Sequence, residues 1–407
     1  MKLWFVTDVF SPDTTGGAGR VAYHLALESS RRHEVHMVTR NPNRSFPPHE
    51  YLDDGIHVHR FPVPSVTHPG FLASEIRNSH DLFRTLWITS PPDMVCAHQS
   101  LPAIPFRFSP RFCNTPFVYC FYSPWHEEYV IKTSGATGIT RALHRCMASL
   151  MKIIEGSVVR HAQRIFVISQ YTQAQVVDVH QCRARRVVRI PPGVDLDAFR
   201  LPGEDKHAVK TGLDWPTDRL VFLTARNLVP RMGLENLITA FTESTLLRRQ
   251  AILIIDGDGP LRAPLTRMIR TSGTASTIRL MGRVPDEMLI RHYQGADFFI
   301  LPTRELEGFG LVILESMACG TPVIGTPVGA IPDILAPFDP KSICDGFEAR
   351  HIREKLEAVV AAPGRFRHSP EECRRFVVDH YSWSRMAQAF EQTIIPLARP
   401  GLPPRIR

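Results

Sequence analysis

Short apolar runs alternate with amphipathic helical stretches along almost the whole chain, and this alternation limits the fold more than any other feature. "MKLWFVTDVF" reads as a buried strand, "SPDTTGGAG" as a glycine turn and "RVAYHLALESSRR" as a helix, before "HEVHMVTRN" returns to a strand. Strand, glycine turn, helix, strand is the βαβ unit of a parallel sheet. "DMVCAH" (93–98), "TPFVYCFYS" (115–123) and "RIFVIS" extend the series, with "RALHRCMASLMKIIEGSVVRHAQ" as a long amphipathic helix. The Pro-Pro-Gly group of "VVRIPPGVDLDAF" cannot sit inside a helix or a central strand and suits a hinge. Beyond it the alternation restarts, through "RLVFLTAR", "GLENLITAFTES", "QAILIIDGDG", "PLRAPLTRMIR", "TIRLMGRV", "DEMLIRHYQGA", "DFFILPT", "LVILESMACG" and "TPVIGTPVG". Two β/α series about a hinge predict two doubly wound, Rossmann-like domains facing a cleft, with ligands at the carboxyl ends of strands. A length of 407 residues agrees, because one hydrophobic core rarely grows past about 250–300 residues. The expected domains are 1–190 and 191–380, with 381–407 as a helix crossing back to the first domain plus a tail.

Composition removes several classes of function. No window approaches about 20 uninterrupted apolar residues, so no transmembrane helix is expected. The N-terminal apolar run is broken by Asp8 and lacks a small-residue cleavage site, unlike a signal peptide. The eight cysteines (Cys96, Cys113, Cys120, Cys146, Cys182, Cys319, Cys344, Cys373) contain no C-x-x-C pair. Neither a zinc site nor a disulfide framework is indicated, and they read as reduced cytosolic thiols, mostly in the core. A net charge of +8 permits a phosphate-rich partner: a nucleotide, an anionic membrane surface or nucleic acid. Nucleic acid is set aside, since no nucleic-acid module is visible and the aromatic residues are not interleaved with the basic ones.

The stretch "ELEGFGLVILESMACGTPVIGTPVG" (305–329) puts Glu307 and Glu315 on either side of a Gly-Phe-Gly turn. Such a pair can be an acid/base couple, metal ligands or clamps on a polar ligand. With "DFFILPT" as a strand, "RELEGFG" is the loop at its carboxyl end and "LVILESMA" starts a helix, whose free amides favour an anion. Gly308 and Gly310 remove side chains where backbone must approach a ligand. From the loop, Glu307 can accept hydrogen bonds from sugar hydroxyls, and Glu315, a turn or two into the helix, can reach ribose hydroxyls. A metal would need several converging carboxylates; "DGDG" (256–259), the one tempting stretch, reads better as a turn before Pro260.

The segment "PTRELEGFGLVILESMACGTPVIGTPVGAIPDIL" resembles the E-x7-E region of retaining GT-B glycosyltransferases of the group 1 and family 4 type. "GGAGR", "VISQYT", "IPPGVDLDAF", "RNLVPRMGLENL", "IDGDGPLR", "LMGRVP" and "YSWSRMAQAFE" agree in order, so the resemblance covers most of the chain. It implies a retaining, metal-independent transfer of a sugar from a nucleoside-diphosphate sugar to a hydroxyl acceptor, a sugar or lipid-linked sugar, with no cofactor. The implied setting is cell-surface polysaccharide or glycolipid synthesis. In the family, the loop "TARNLVPRMGL" (224–234) supplies an Arg and a Lys that neutralise the donor pyrophosphate. Here Asn227 and Met232 occupy those positions, and Arg226 and Arg231 stand beside them. Tyr122 stands where many relatives carry a His, and His126 lies four residues on. The catalytic candidates are therefore Glu307, Arg226, Arg231, Tyr122 and His126. The donor-binding candidates are Gly16, Gly17, Gly308, Phe309, Gly310, Leu311, Glu315, Arg283 and Val284. A catalytically weak nucleotide-sugar-binding protein and a GT-B epimerase or phosphorylase are the alternatives.

Residues 139–165 suggest one more partner. Leu143, Met147, Leu150, Met151 and Ile154 recur at helical spacing, with Arg141, Arg145, Lys152 and Arg160 along the same segment. One reading packs the stripe on the first domain's sheet. The other turns it to the inner face of a membrane, giving a cytoplasmic protein with peripheral attachment.

Overall fold

The structure, a computed structural model, describes residues 1–11, 16–42, 44–66 and 68–398. It divides into two units: Met1–Pro192 together with the chain from Trp383, and Gly193–Ser382.

The first unit is built on β1 (Lys2–Val6), β2 (Glu34–Pro42), β3 (His49–Tyr51), β4 (Ile56–Val63), β5 (Met94–Ala97), β6 (Phe117–Phe121), β7 (Arg164–Val167) and β8 (Val187–Arg189). Among the described residues these form one sheet in the order β3-β4-β2-β1-β5-β6-β7-β8. All pairs are parallel except β3 with β4. A parallel sheet is covered on both faces, so its central strands are apolar throughout; β6, "FVYCF", is buried at every position. One face packs Trp4, Val6, Phe83, Phe106, Phe117 and Val158. On the other, the helix Trp383–Ile394 places Phe390 5.9 Å from Phe5 and 5.1 Å from Phe166, ring to ring. Glu391 of that helix pairs with Arg32 at 2.6 Å.

The region between β2 and β5 departs from the sequence reading, which assigned no element there. It holds β3, β4 and the helix Phe71–Thr89. The alternation of "HEYLDDGIHVHRF" is masked because histidines take places usually held by aliphatic residues. His36 and His59 are buried, and His36 Nδ1 lies 2.9 Å from His59 Nε2.

The second unit contains β9 (Leu220–Ala225), β10 (Ala251–Asp256), β11 (Ile278–Gly282), β12 (Phe298–Leu301) and β13 (Val323–Gly325). They form a parallel sheet ordered β11-β10-β9-β12-β13. Phe222, Phe241, Leu253, Ile255, Phe298 and Leu356 share its core. From β9 the chain proceeds outward through β10 and β11; it then returns to place β12 on the other side of β9. The loops after β9 and β12 therefore leave the sheet in opposite directions, and the crevice between them is where doubly wound sheets bind ligands. In the first unit the same reversal falls between β1 and β5.

Candidate active site

The reversal point of the second unit brings together residues that lie about eighty positions apart in sequence. Arg226 leaves β9 and Thr303–Glu307 follow β12. Arg226 Nη2 donates to Glu307 Oε2 at 2.7 Å, and Thr303 Oγ1 donates to the same oxygen at 3.1 Å. The two side chains of the ion pair are only 6% and 10% exposed, so the pair is held away from water, where removing either partner strands the other's charge. Burial would raise the Glu307 carboxyl, but the charge and hydrogen bond of Arg226, the charge of Arg231 and the Thr303 hydroxyl outweigh it and hold the carboxyl below its ordinary value. Glu307 is thus an ionised hydrogen-bond acceptor. The other guanidinium nitrogen, Arg226 Nη1, is buried and has no partner among the described residues.

Backbone geometry sets this arrangement. Arg231 Nη1 donates to the Leu306 carbonyl at 2.8 Å, and the Arg304 amide to the Arg231 carbonyl at 2.9 Å, tying the loops after β9 and β12 together. Gly257, at φ 127°, lies where a Cβ would collide with the Arg226 carbonyl oxygen. Gly329, at φ 60°, does the same for the Glu307 carbonyl oxygen, which accepts the Ala330 amide at 2.9 Å. Both are conformations in which a side chain is strained. "DGDG" is accordingly a tight turn against the Arg226 loop.

The helix Leu311–Ala318 begins at Gly310, φ 90°, and no side chain caps it; the Ile313 amide closes onto the Gly310 carbonyl at 2.9 Å, and the Leu311 and Val312 amides remain available to an anion. Glu315, on that helix, is 2% exposed and accepts a hydrogen bond from Tyr293 at 3.0 Å. Phe309 turns inward, 5.8 Å edge to face with Tyr381, and Leu311 is half-buried. Arg283 is exposed and Val284 half-buried just past β11, at the same end of the sheet. Asn227 is exposed, whereas Met232 is buried, with its sulfur 2.7 Å from Arg226 Nη2. The two arginines displaced by one place along the chain still converge on the Glu307 loop. Thr303, Tyr293 and Gly329 are additions to the residues read from the sequence. Thr303 has a signal there, its place at the carboxyl end of a strand; the other two act through contacts that spacing does not show.

A cavity of about 690 Å³ lies at the opposite, amino ends of these strands, lined by Lys206, Lys210, Arg219, Arg249, Asp297 and Arg367 among others. Gly320 and Pro322 of the E-x7-E segment line it, but none of the candidate catalytic or donor-binding residues does. Lys210 there is bound to Asp297 at 2.6 Å, and Lys206 to the Ala296 carbonyl at 2.6 Å.

In the first unit, Gly16 caps and Gly17 begins the helix Gly17–Ser30; Thr14 and Thr15 of the same motif lie outside the described residues. Tyr122 follows β6, and its hydroxyl is 2.5 Å from His98 Nδ1. In the following segment, "SPWHEE" (123–128), Trp125 opens the helix Trp125–Lys132. His126 in its first turn is half-buried, with Nδ1 enclosed and unpartnered among the described residues. Burial, then Lys152 and His180, lower its pKa to about 4, so it is a neutral imidazole at pH 7. Beneath it lies a group that sequence reading missed: buried Glu155 accepts from His180 Nε2 at 3.0 Å, the Trp125 amide at 3.2 Å and the Tyr119 hydroxyl at 3.2 Å.

Comparison with known proteins agrees with this architecture. Residues 205–380 match the family model "Glycosyl transferases group 1", and residues 15–198 match "Glycosyltransferase Family 4". Together they take in most of the chain, which belongs to the glycosyltransferase superfamily and has the GT-B fold. Among curated relatives, a GDP-mannose-dependent alpha-(1-6)-phosphatidylinositol monomannoside mannosyltransferase of Mycolicibacterium smegmatis is 30% identical over 54% of this chain and 59% of its own length. Two further relatives, D-inositol 3-phosphate glycosyltransferases, are matched over 56% and 48% of their own lengths, so the chain spans about half of these proteins. Sucrose-phosphate synthase from Thermosynechococcus elongatus superposes with a TM-score of 0.82 at 18% identity, covering 98% of this chain and 99% of that one. Anabaena HepE in complex with UDP-glucose superposes with a TM-score of 0.72 at 16% identity, over 97% and 100% of the two chains. No helix among the described residues is long and apolar enough to cross a membrane.

Proposed function

We propose that the chain is a retaining glycosyltransferase whose second unit binds a nucleoside-diphosphate sugar at the reversal point of its sheet. One observation carries the reading: the buried Arg226–Glu307 pair keeps a guanidinium nitrogen without a partner, beside an uncapped helix N-terminus. A buried donor of this kind is costly unless a ligand oxygen satisfies it. A pyrophosphate supplies that oxygen, and the helix amides add to the field around it.

In this reading Arg226 and Arg231 offset the charge that grows on the departing diphosphate, in place of a divalent cation. Glu307 orients the sugar through its hydroxyls and Glu315 the ribose. The bond from the anomeric carbon to the phosphate oxygen breaks while the acceptor oxygen bonds to that carbon on the same face. The acceptor proton passes to the departing phosphate oxygen, so no side-chain base is required. The relatives named for mannosyl transfer to a phosphatidylinositol mannoside, and the neighbour holding UDP-glucose, support a nucleotide-sugar donor and a sugar or glycolipid acceptor. We place the acceptor on the first unit, near Tyr122 and His126.

A glycolipid acceptor also brings a membrane surface into the reading. On the helix Gly138–His161, Ile139, Leu143, Cys146, Leu150 and Ile153 recur at steps of four and three and all are exposed, with Arg141, Arg145 and Lys152 alongside. The contrary reading, a nucleotide-sugar binder without turnover, draws on Met232, which fills the family's lysine position with a buried thioether. Incubation with a panel of radiolabelled UDP-, GDP- and ADP-sugars, with and without glycolipid acceptors, separates the two. Donor consumption that depends on acceptor supports transfer. Donor binding with neither hydrolysis nor transfer supports the binder, and consumption without any acceptor supports an epimerase.

A further inference from the structure

Cys96, His98 and Cys120 are scattered in sequence but adjacent in the first unit. Cys96 lies on β5, Cys120 on the neighbouring β6, and His98 immediately after β5. The Cys96 and Cys120 sulfurs are 3.5 Å apart, and Cys96 Sγ is 3.6 Å from His98 Nε2. One ligand atom from each of the three residues falls within 4.8 Å of the others; among the described residues no other trio of His, Cys, Asp or Glu converges in this way. All three are buried, at 1%, 1% and 3% exposure.

The two separations from the Cys96 sulfur are those of a tetrahedral soft cation. With Zn–S near 2.3 Å and Zn–N near 2.0–2.1 Å, ligand atoms in a tetrahedron stand about 3.5–3.8 Å apart. The imidazole is already held for the purpose. Its ring stacks with Phe5 (5.7 Å) and with Tyr122 (5.9 Å), and Nδ1 meets the Tyr122 hydroxyl at 2.5 Å, leaving Nε2 turned to the thiols. A hydrogen bond on the second ring nitrogen is the usual support of a ligating histidine. Two thiolates and one divalent cation sum to zero charge, which suits an apolar interior better than a lone thiolate does.

We infer that Cys96, Cys120 and His98 Nε2 bind a zinc ion at the carboxyl ends of β5 and β6, with Tyr122 orienting the histidine. Binding replaces the two thiol protons, which leave to solvent, and involves no change of oxidation state. The site belongs to the first unit and does not depend on the donor reading, which rests on the second. Because all three ligands are enclosed, the metal loads as the unit folds.

The test uses the whole chain, produced in zinc-depleted medium supplemented with cobalt and purified under reducing conditions. The expected result is one cobalt per chain, with the near-ultraviolet thiolate-to-cobalt band and the visible bands of a tetrahedral ion. Both should be lost in Cys96→Ser/Cys120→Ser and kept in Cys319→Ser/Cys344→Ser. If the serine pair fails to fold, zinc content of the wild-type chain from ordinary medium decides: near one ion per chain supports the site, and metal-free folded protein overturns it. Peptide mapping without reductant that finds Cys96 joined to Cys120, two hydrogens lighter, would also overturn it by assigning the pair to thiol oxidation.

Discussion

Glu307 does two jobs that substitution can separate. It neutralises a buried guanidinium and, in the proposed function, holds the sugar. Glu307→Ala leaves Arg226 buried and uncompensated, which should destabilise the second unit by about 3–5 kcal/mol as well as abolish turnover. Arg226→Met/Glu307→Leu removes both charges; urea unfolding should then show stability recovered to within about 1–2 kcal/mol of wild type, while turnover stays lost. Recovery of turnover with stability would make the pair structural only. Glu315 should behave differently, because it accepts from a tyrosine hydroxyl and, as proposed, from the ribose. Glu315→Ala should weaken nucleoside-diphosphate binding by about 1–3 kcal/mol, and unchanged affinity in calorimetry removes it from the site. At this scale the sequence is informative about residue types but not register. Arg226 and Arg231 read as displaced from a family pattern, and only the pairing of β9 with β12 shows that both still reach the Glu307 loop. The meeting of the Cys96 and Cys120 thiols is invisible in the sequence for the same reason, since adjacency across strands leaves no trace in spacing.

Elements with a clean period are legible in the sequence, whereas the side they bury is not. On the helix Gly138–His161 the spacing predicts Leu143, Met147, Leu150, Met151 and Ile154 as one stripe. The helix packs instead through Ala148, Met151, Glu155, Val158 and Val159 and leaves Leu143 and Leu150 exposed. The buried face includes a carboxylate, Glu155, which hydropathy assigns to water; its three hydrogen bonds explain why it is inside. The two faces predict opposite outcomes. Met151→Ala should cost about 2–5 kcal/mol, whereas Leu143→Glu/Leu150→Glu should leave stability within about 0.5 kcal/mol per site. The second variant should abolish co-sedimentation with anionic vesicles at low salt, which wild type should show. A wild-type protein that stays in the supernatant removes the membrane surface; a dimer lost with the same variant would give the stripe to a second copy of the chain.

For the whole molecule, the first unit carries most of the acid sensitivity. Burial is the first cause that lowers His33 and His126 to about 4 and His59 to about 3, and it also lowers His36, His57 and His161. Each binds its proton more readily once unfolded, so its contribution to stability is present above pH 6.5 and is lost as pH falls toward these values. Glu75, raised to about 10 by burial and by Asp8, works the other way, retaining a proton in the fold that the unfolded chain releases above pH 4.5. Burial raises Glu127 as well, so six histidines oppose two carboxyls, and stability of this unit should fall between pH 7 and 5. Four of the five tryptophans (Trp4, Trp87, Trp125, Trp383) belong to the first unit, so fluorescence-detected urea unfolding reports on it. A midpoint that held or rose on acidification would contradict this assignment.

The division into two β/α series is legible from alternation and a Pro-Pro-Gly break, because covered parallel strands have to be apolar. The sequence points to the carboxyl ends of the second sheet's strands as the ligand site, and whether a ligand binds there or at the basic cavity by their amino ends is the central question. Hydrogen exchange of the intact chain, with and without saturating UDP, GDP or ADP, answers it most directly. At least one of the three should slow exchange in 226–233 and 302–311, around Arg226, Glu307 and the helix N-terminus. Slowing confined to 206–219 and 360–370, around the basic cavity at the amino ends of the strands, or no slowing with any of the three, would contradict the account.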